Sequence, residues 1–115
     1  GHVTGVQTCA LPIFTIVRWT VYALLEAEEL GVSQAKVQAL TNSDDPAVKR
    51  LLGQGEDLGK MMGLDKAWAA RAIQAVGNYG EVFERNLGKQ SPLQLPRGAN
   101  RLWTQGGLMY APPVR

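Results

Sequence analysis

Between Phe14 and Leu30 the apolar positions recur at steps of three and four. FTIVRWTVYALLEAEEL sets Phe14, Val17, Val21, Leu24, Leu25 and Glu28 along one side of an amphipathic helix, and Gly31 supplies a left-handed stop. Ser33 is the expected N-cap of a short helix that carries Val37 and Leu40 on one face and ends in the polar cluster TNSDD. Asp45 and Pro46 restart the chain, a capping carboxylate beside a first-turn proline whose missing N–H costs nothing. The helix they open carries Val48, Leu51 and Leu52 up to Gly53. Residues 53 to 63, GQGEDLGKMMG, hold four glycines and read as a connector with at most one helical turn. Asp65 is then expected to cap the longest helix, with Trp68, Ala72, Ala75 or Val76, Tyr79, Phe83 and Leu87 on one face down to Gly88. Gly77 and Gly80 fall inside that span, each at a cost of up to about 1 kcal/mol relative to Ala, which close packing can justify.

From Lys89 onward Pro92, Pro96, Gly98, Gly106, Gly107, Pro112 and Pro113 punctuate an extended tail with one expected helical turn over Ala99 to Trp103. Left wet, Leu93, Leu95, Leu102, Trp103, Leu108, Met109 and Tyr110 would cost roughly 25 cal/mol per Å² of apolar area, so the tail is expected to lie along the body. No repeat and no convincing strand is legible. The expected fold class is mainly α, with a helical segment over 14–88 and a Pro/Gly-rich tail over 89–115.

The first residues follow neither period. VTGVQTCALPIF, residues 3 to 14, has no Lys or Arg and so lacks the basic start of a secretory signal. VTGVQTCALPI matches the translation of a common sequencing adapter. Residues 1–13 are accordingly expected to be unstructured and adapter-derived, with the gene's own information starting at about Ile13 or Phe14.

Composition narrows the function. Of the 115 residues 45% are hydrophobic and 19% charged, a globular balance. Twelve Lys and Arg against ten Asp and Glu leave a charge of +2, too even for a phosphate-dominated nucleic-acid binder. The longest apolar run, VYALL at 21 to 25, is far short of the roughly 20 residues that span a bilayer. The single cysteine, Cys9, and the single histidine, His2, both lie in the adapter-like stretch. Without them the usual zinc sites and Cys-His or Ser-His nucleophile pairs cannot be built. An enzyme is therefore disfavoured, and no catalytic residue, metal ligand or cofactor is assigned.

The remaining candidates each have a plain structural reading. Gly53, Gly55 and Gly59 suggest a phosphate loop, but the dinucleotide pattern would need glycine at position 58, where Leu58 stands, and no strand precedes it. Glu26, Glu28 and Glu29 read as a solvated helix face, and Glu81 with Arg85 as a surface pair worth a few tenths of a kcal/mol. No acid follows Glu84, whereas Arg85, Lys89, Arg97, Arg101 and Arg115 interleave with Trp103 and Tyr110. Bases among aromatics are what a single-stranded nucleic-acid groove uses. A small stand-alone helical module binding nucleic acid through this tail is thus the alternative function.

Four stretches carry a resemblance: IVRWTVYALLEAEELGV, NSDDPAVKRLLG, GLDKAWAARAIQAVGNYGEVFERNLG and RGANRLWTQGGLMYAPPVR. In order, they resemble the C-terminal end of periplasmic general L-amino-acid-binding proteins of ABC uptake transporters, over essentially all of Phe14 to Arg115. NYGEVFERN, LWTQGGL and YAPPVR are together the most specific. The resemblance implies a two-lobed α/β parent that closes on an amino acid and delivers it to a membrane permease, with this chain a detached helical segment and wrapping tail. The Arg and acidic residue with which such proteins hold the α-carboxylate and α-ammonium belong to upstream segments, so no ligand-binding residue is carried over. Trp68, Tyr79 and Phe83 fit a packing role. The chain alone is then expected to be helical, marginally stable and without amino-acid affinity, and its parent periplasmic.

Overall fold

The computed structural model describes residues 2–53, 63–65 and 67–112, with side chains described from residue 13 onward. The chain begins with α1, His2–Glu29, about 42 Å long at 1.5 Å per residue and nearly the 48 Å longest dimension of the molecule. Residues 2–13 are helical here, not unstructured. The packed turns from Trp19 to Ala27 supply the nucleus, from which the helix extends toward its N-terminus. The helix therefore runs through Gly5 and Pro12, which the sequence pattern treats as breakers.

At Gly31, with φ of +75°, the chain turns, and the Val32 amide closes the helix end on the Ala27 carbonyl at 2.8 Å. Ser33 serves this turn through its backbone carbonyl, which accepts from Lys36 and Val37 at 3.1 and 2.9 Å. The short α2, Val37–Leu40, has Lys36 at its N-cap with no side-chain cap, so the expected Ser33 cap is absent. By contrast α3, Pro46–Leu51, starts as its sequence dictates: Asp45 accepts from the Ala47 amide at 2.9 Å and Pro46 sits in the first turn.

The long helix expected after Asp65 is two helices, α4 over Trp68–Val76 and α5 over Tyr79–Asn86. The apolar period runs across the break, which hides it. Gly77, at φ +85° and ψ −173°, adopts a backbone geometry that only glycine takes readily. Asn78 then restarts the helix with a complete capping box: its side chain accepts from the Glu81 amide at 3.0 Å, while Glu81 Oε1 accepts from the Asn78 amide at 3.1 Å. Upstream, Asp65 does accept from the Ala67 amide at 2.8 Å, one turn residue before α4 begins.

One core gathers Ala23, Ala27, Val32, Leu51, Ala69 and Ile73, with Trp68 and Leu24 packed against it. The break also re-aims α4: Ala69 and Ile73 face inward, and Ala75 and Val76, expected on the buried side, are exposed. A second cluster joins Leu25 to Leu102 and Ala111 of the tail, flanked by Tyr22, Tyr79 and Met109. Trp19 and Tyr22 meet edge to face at 5.5 Å and link the two clusters along α1. Among the described residues there is no named strand, and no helix is long and apolar enough to cross a membrane.

The tail folds on itself. Gly98–Asn100 and Trp103–Gln105 form separate 3-10 turns in place of one helical turn over 99–103. Leu102, between the two turns, and Met109, after them, form an isolated parallel bridge, with the Trp103 amide donating to the Met109 carbonyl at 2.9 Å. Leu102 is buried, whereas Leu93, Leu95, Trp103, Leu108 and Tyr110 stay exposed.

Candidate functional site

The tail and α1 meet in one charged contact. Arg97 presents both terminal guanidinium nitrogens to Glu28: Nη1 donates to Oε2, and Nη2 donates to Oε1 at 2.9 Å. Nη2 also donates to the Asn100 carbonyl at 2.8 Å. The side chains are only 12% and 14% exposed, so the pair sits where its attraction is less screened than at an open surface. The guanidinium carbon lies 5.5 Å from the Tyr79 ring centroid and 5.7 Å from that of Phe83, so α5 supplies an aromatic floor. The hydrogen bonds that Arg97 donates to Glu28 hold its guanidinium above the ordinary arginine range, with burial opposing.

Gly80 makes this approach possible. A β-carbon there would collide with the Glu28 carboxylate and stand 3.1 Å from Arg97 Nη1. Gly80 therefore packs closely, as its place in the sequence suggests, and what it admits is an ion pair. The expectation that Glu26, Glu28 and Glu29 form a solvated face is corrected accordingly. Glu29 is exposed, but Glu26 is buried and Glu28 is paired. The approach of a tail residue 69 positions away converts the polar end of the helix into an interior.

A cleft of about 520 Å³ opens beside the pair, lined by Glu28, Gln34, Glu81, Glu84, Arg85 and Arg97 among others. Most of these polar groups are committed to the chain itself. Glu81 Oε1 accepts from the Gln34 amide at 2.9 Å in addition to its capping bond. Gln34 Nε2 donates to the Gln74 and Ala75 carbonyls at 3.1 and 3.2 Å. Arg85 Nη2 donates to the Val76 carbonyl at 2.8 Å. Three of the carbonyls that a helix end leaves without partners are thus satisfied by two side chains. Asn78 Nδ2 donates to the buried Val32 carbonyl at 3.0 Å, and Glu84 Oε2 accepts from the Lys89 amide at 2.9 Å. The surface pair expected between Glu81 and Arg85 does not form, because each is drawn to the junction between α4 and α5.

A smaller cavity of about 290 Å³ lies between the end of α1, the start of α3 and the tail, lined by Glu26, Glu29, Arg50, Trp103 and Tyr110 among others. Trp103 and Tyr110 meet edge to face at 6.0 Å. The aromatics expected to stack bases therefore contact each other. Of the tail cations, Arg97 is held by Glu28, and Arg101 Nε donates to the Gly98 carbonyl at 3.0 Å. Arg115, the connector glycines Gly55 and Gly59 with Leu58, and the side chains of His2 and Cys9 lie outside the described residues. No group of three potential metal ligands occurs among the described residues. The Glu28–Arg97 pair is the feature of this site that the sequence pattern does not announce. Its one signal was a glutamate standing in line with Val17, Val21 and Leu24.

No family model matches the chain. It is 55% identical over 104 residues to the general L-amino acid-binding periplasmic protein AapJ of Rhizobium johnstonii, a match covering 89% of this chain and 30% of that protein. It is 54% identical over 101 residues to the glutamate/glutamine/aspartate/asparagine-binding protein BztA of Rhodobacter capsulatus, covering 87% and 30%. Among solved structures it resembles an ABC transporter periplasmic binding protein from Brucella ovis with glutathione bound, at a TM-score of 0.82 and 54% identity, over 87% of this chain and 32% of that one. The chain thus spans about 30% of the length of the curated relatives it matches.

Proposed function

The chain is homologous to part of the periplasmic amino-acid-binding proteins of ABC transporters, and from that premise we propose that it is a C-terminal, structural part of such a protein. Its parent captures an L-amino acid in the periplasm by closing two lobes and hands it to a membrane permease, a population shift driven by contacts made in the closed state. The role is non-enzymatic, since the relatives are binding proteins. This segment contributes packing to the body of that protein and no ligand contact.

The observation that carries the packing role is the state of Arg97. A free carboxylate ligand would need an open guanidinium fork, and this fork is occupied by Glu28 and the Asn100 carbonyl. Calorimetry tests the reading. Titrated with L-glutamate, L-glutamine and L-aspartate, the 115-residue chain is expected to show no heat of binding. Micromolar affinity for any of them would overturn it, because the capture site would then lie within the chain.

A further inference from the structure

Arg97 fills a seat that two other elements build. α1 supplies the Glu28 carboxylate, to which both terminal nitrogens of the guanidinium donate. α5 supplies the rings of Tyr79 and Phe83, 5.5 and 5.7 Å from the guanidinium carbon, and Gly80, where a side chain would fill the space. The two helices are tied to each other without the tail. Asn78, the N-cap of α5, donates to the Val32 carbonyl just beyond α1 at 3.0 Å, and its capping box with Glu81 fixes the turn that carries Tyr79 and Gly80. The tail beyond Arg97, for its part, closes on itself: the Leu108 amide donates to the Ala99 carbonyl at 2.8 Å, the Met109 amide to the Arg101 carbonyl at 3.1 Å, and the Gly107 amide to the Leu102 carbonyl at 2.9 Å. Seat and occupant are thus separately built. Their fit is incomplete at one atom, since Arg97 Nε is buried without a hydrogen-bond partner.

We propose that Glu28, Tyr79, Gly80 and Phe83 form a binding site for a guanidinium group, which Arg97 occupies as a tethered ligand and which takes a free alkylguanidinium once Arg97 is withdrawn. A carboxylate beside two aromatic rings suits a planar, delocalised cation that pairs through two nitrogens and stacks. It suits the compact, strongly hydrated ammonium of lysine less well. The adjoining cleft of about 520 Å³ has room for the rest of such a ligand. Without Arg97, its charged lining among the described residues is Glu28, Glu81 and Glu84 with Arg85, a net negative wall that favours a cation over an anion. An untethered ligand can also turn toward that cleft the N–H that Arg97 leaves unpaired. The site lies apart from the amino-acid capture assigned to the parent, so the inference does not depend on the transport reading.

The test is chemical rescue in the full 115-residue chain. Arg97→Ala empties the site and should lower Tm. N-acetyl-L-argininamide at about 20 mM should then raise the Tm of the variant by about 4 °C and saturate, as millimolar binding to the folded state alone requires. The wild-type chain, whose site is filled, should shift by no more than about a degree under the same conditions. N-acetyl-L-lysinamide at matched ionic strength should move neither. If Arg97→Ala is unfolded at room temperature, the same titration should restore its helical circular dichroism. The double variant Glu28→Gln/Arg97→Ala leaves no buried carboxylate unpaired, so it should stay folded and give no response. Equal stabilisation of the double variant or of the wild-type chain would place the binding elsewhere and overturn the proposal. Equal rescue by the lysine compound would overturn it too, as would the absence of both a Tm shift and recovered helix in Arg97→Ala.

Discussion

The two halves of α1 are built from similar residue types and end in opposite states. From Tyr22 to Glu29 the helix is sandwiched: Ala23 and Ala27 enter the main core, Leu25 enters the tail cluster, and Glu28 is paired with Arg97. From Ile13 to Val21 the large apolar side chains on the same line face outward. Amphipathic pattern sets which face of a helix seeks a partner. How far the partner extends along it is a property of the rest of the fold, here α4, α5 and a tail that reach only the C-terminal half.

The sharpest way to break the contrast is to damage the covered half at its charged contact. Glu28→Ala leaves a mostly buried guanidinium without its carboxylate, and should cost about 3 kcal/mol, read by urea unfolding followed by far-UV circular dichroism. Unchanged stability would mean that the tail does not seal α1. Gly80→Ala attacks the same contact from α5, by forcing the Glu28 carboxylate aside. Its expected cost is about 2 kcal/mol in the same assay, and a neutral result would show that the helices can separate to admit a methyl group.

Smaller effects grade the comparison. Asn78→Ala removes the capping box of α5 and the donor to the Val32 carbonyl, an expected loss of about 1–2 kcal/mol. Val17→Ala, in the bare half, should change stability by no more than about 0.5 kcal/mol. A loss as large as that of Asn78→Ala would show that the exposed stripe is covered in solution. The charge state of Arg97 should not enter any of these measurements. Its folded value is raised above the ordinary arginine value, so its contribution is fully present below that ordinary value and is lost only as pH rises through the higher one. Unfolding between pH 5 and 9 should therefore show no step from this group.

Local signals read well from sequence where the physics is local. Asp45 with Pro46 fixes the start of α3, and Gly31 ends α1, because a cap or a positive φ needs only its neighbours. Gly77 and Gly80 read in the sequence as two glycines tolerated inside one helix, where the structure has a break. The apolar period from Trp68 to Leu87 carries through the junction and masks the local signals that break it, Gly77 at positive φ and the Asn78–Glu81 capping box. The charged contact was the least legible feature. Nothing near Glu28 in the sequence announces Arg97, and nothing near Arg97 distinguishes it from Arg101.

That separation has a kinetic consequence. A contact spanning 69 positions closes a long loop, whose entropy must be given up before the contact returns anything. During synthesis α1 and the helices after it emerge first, and Glu28 waits for its partner until nearly the whole segment has been made. The ion pair therefore works as a check of completeness: a chain cut short before Arg97 keeps its helices but carries an unsealed carboxylate at the end of α1. Such a product would expose the second cluster as well as the bare stripe, and those are the surfaces that chaperones and proteases recognise.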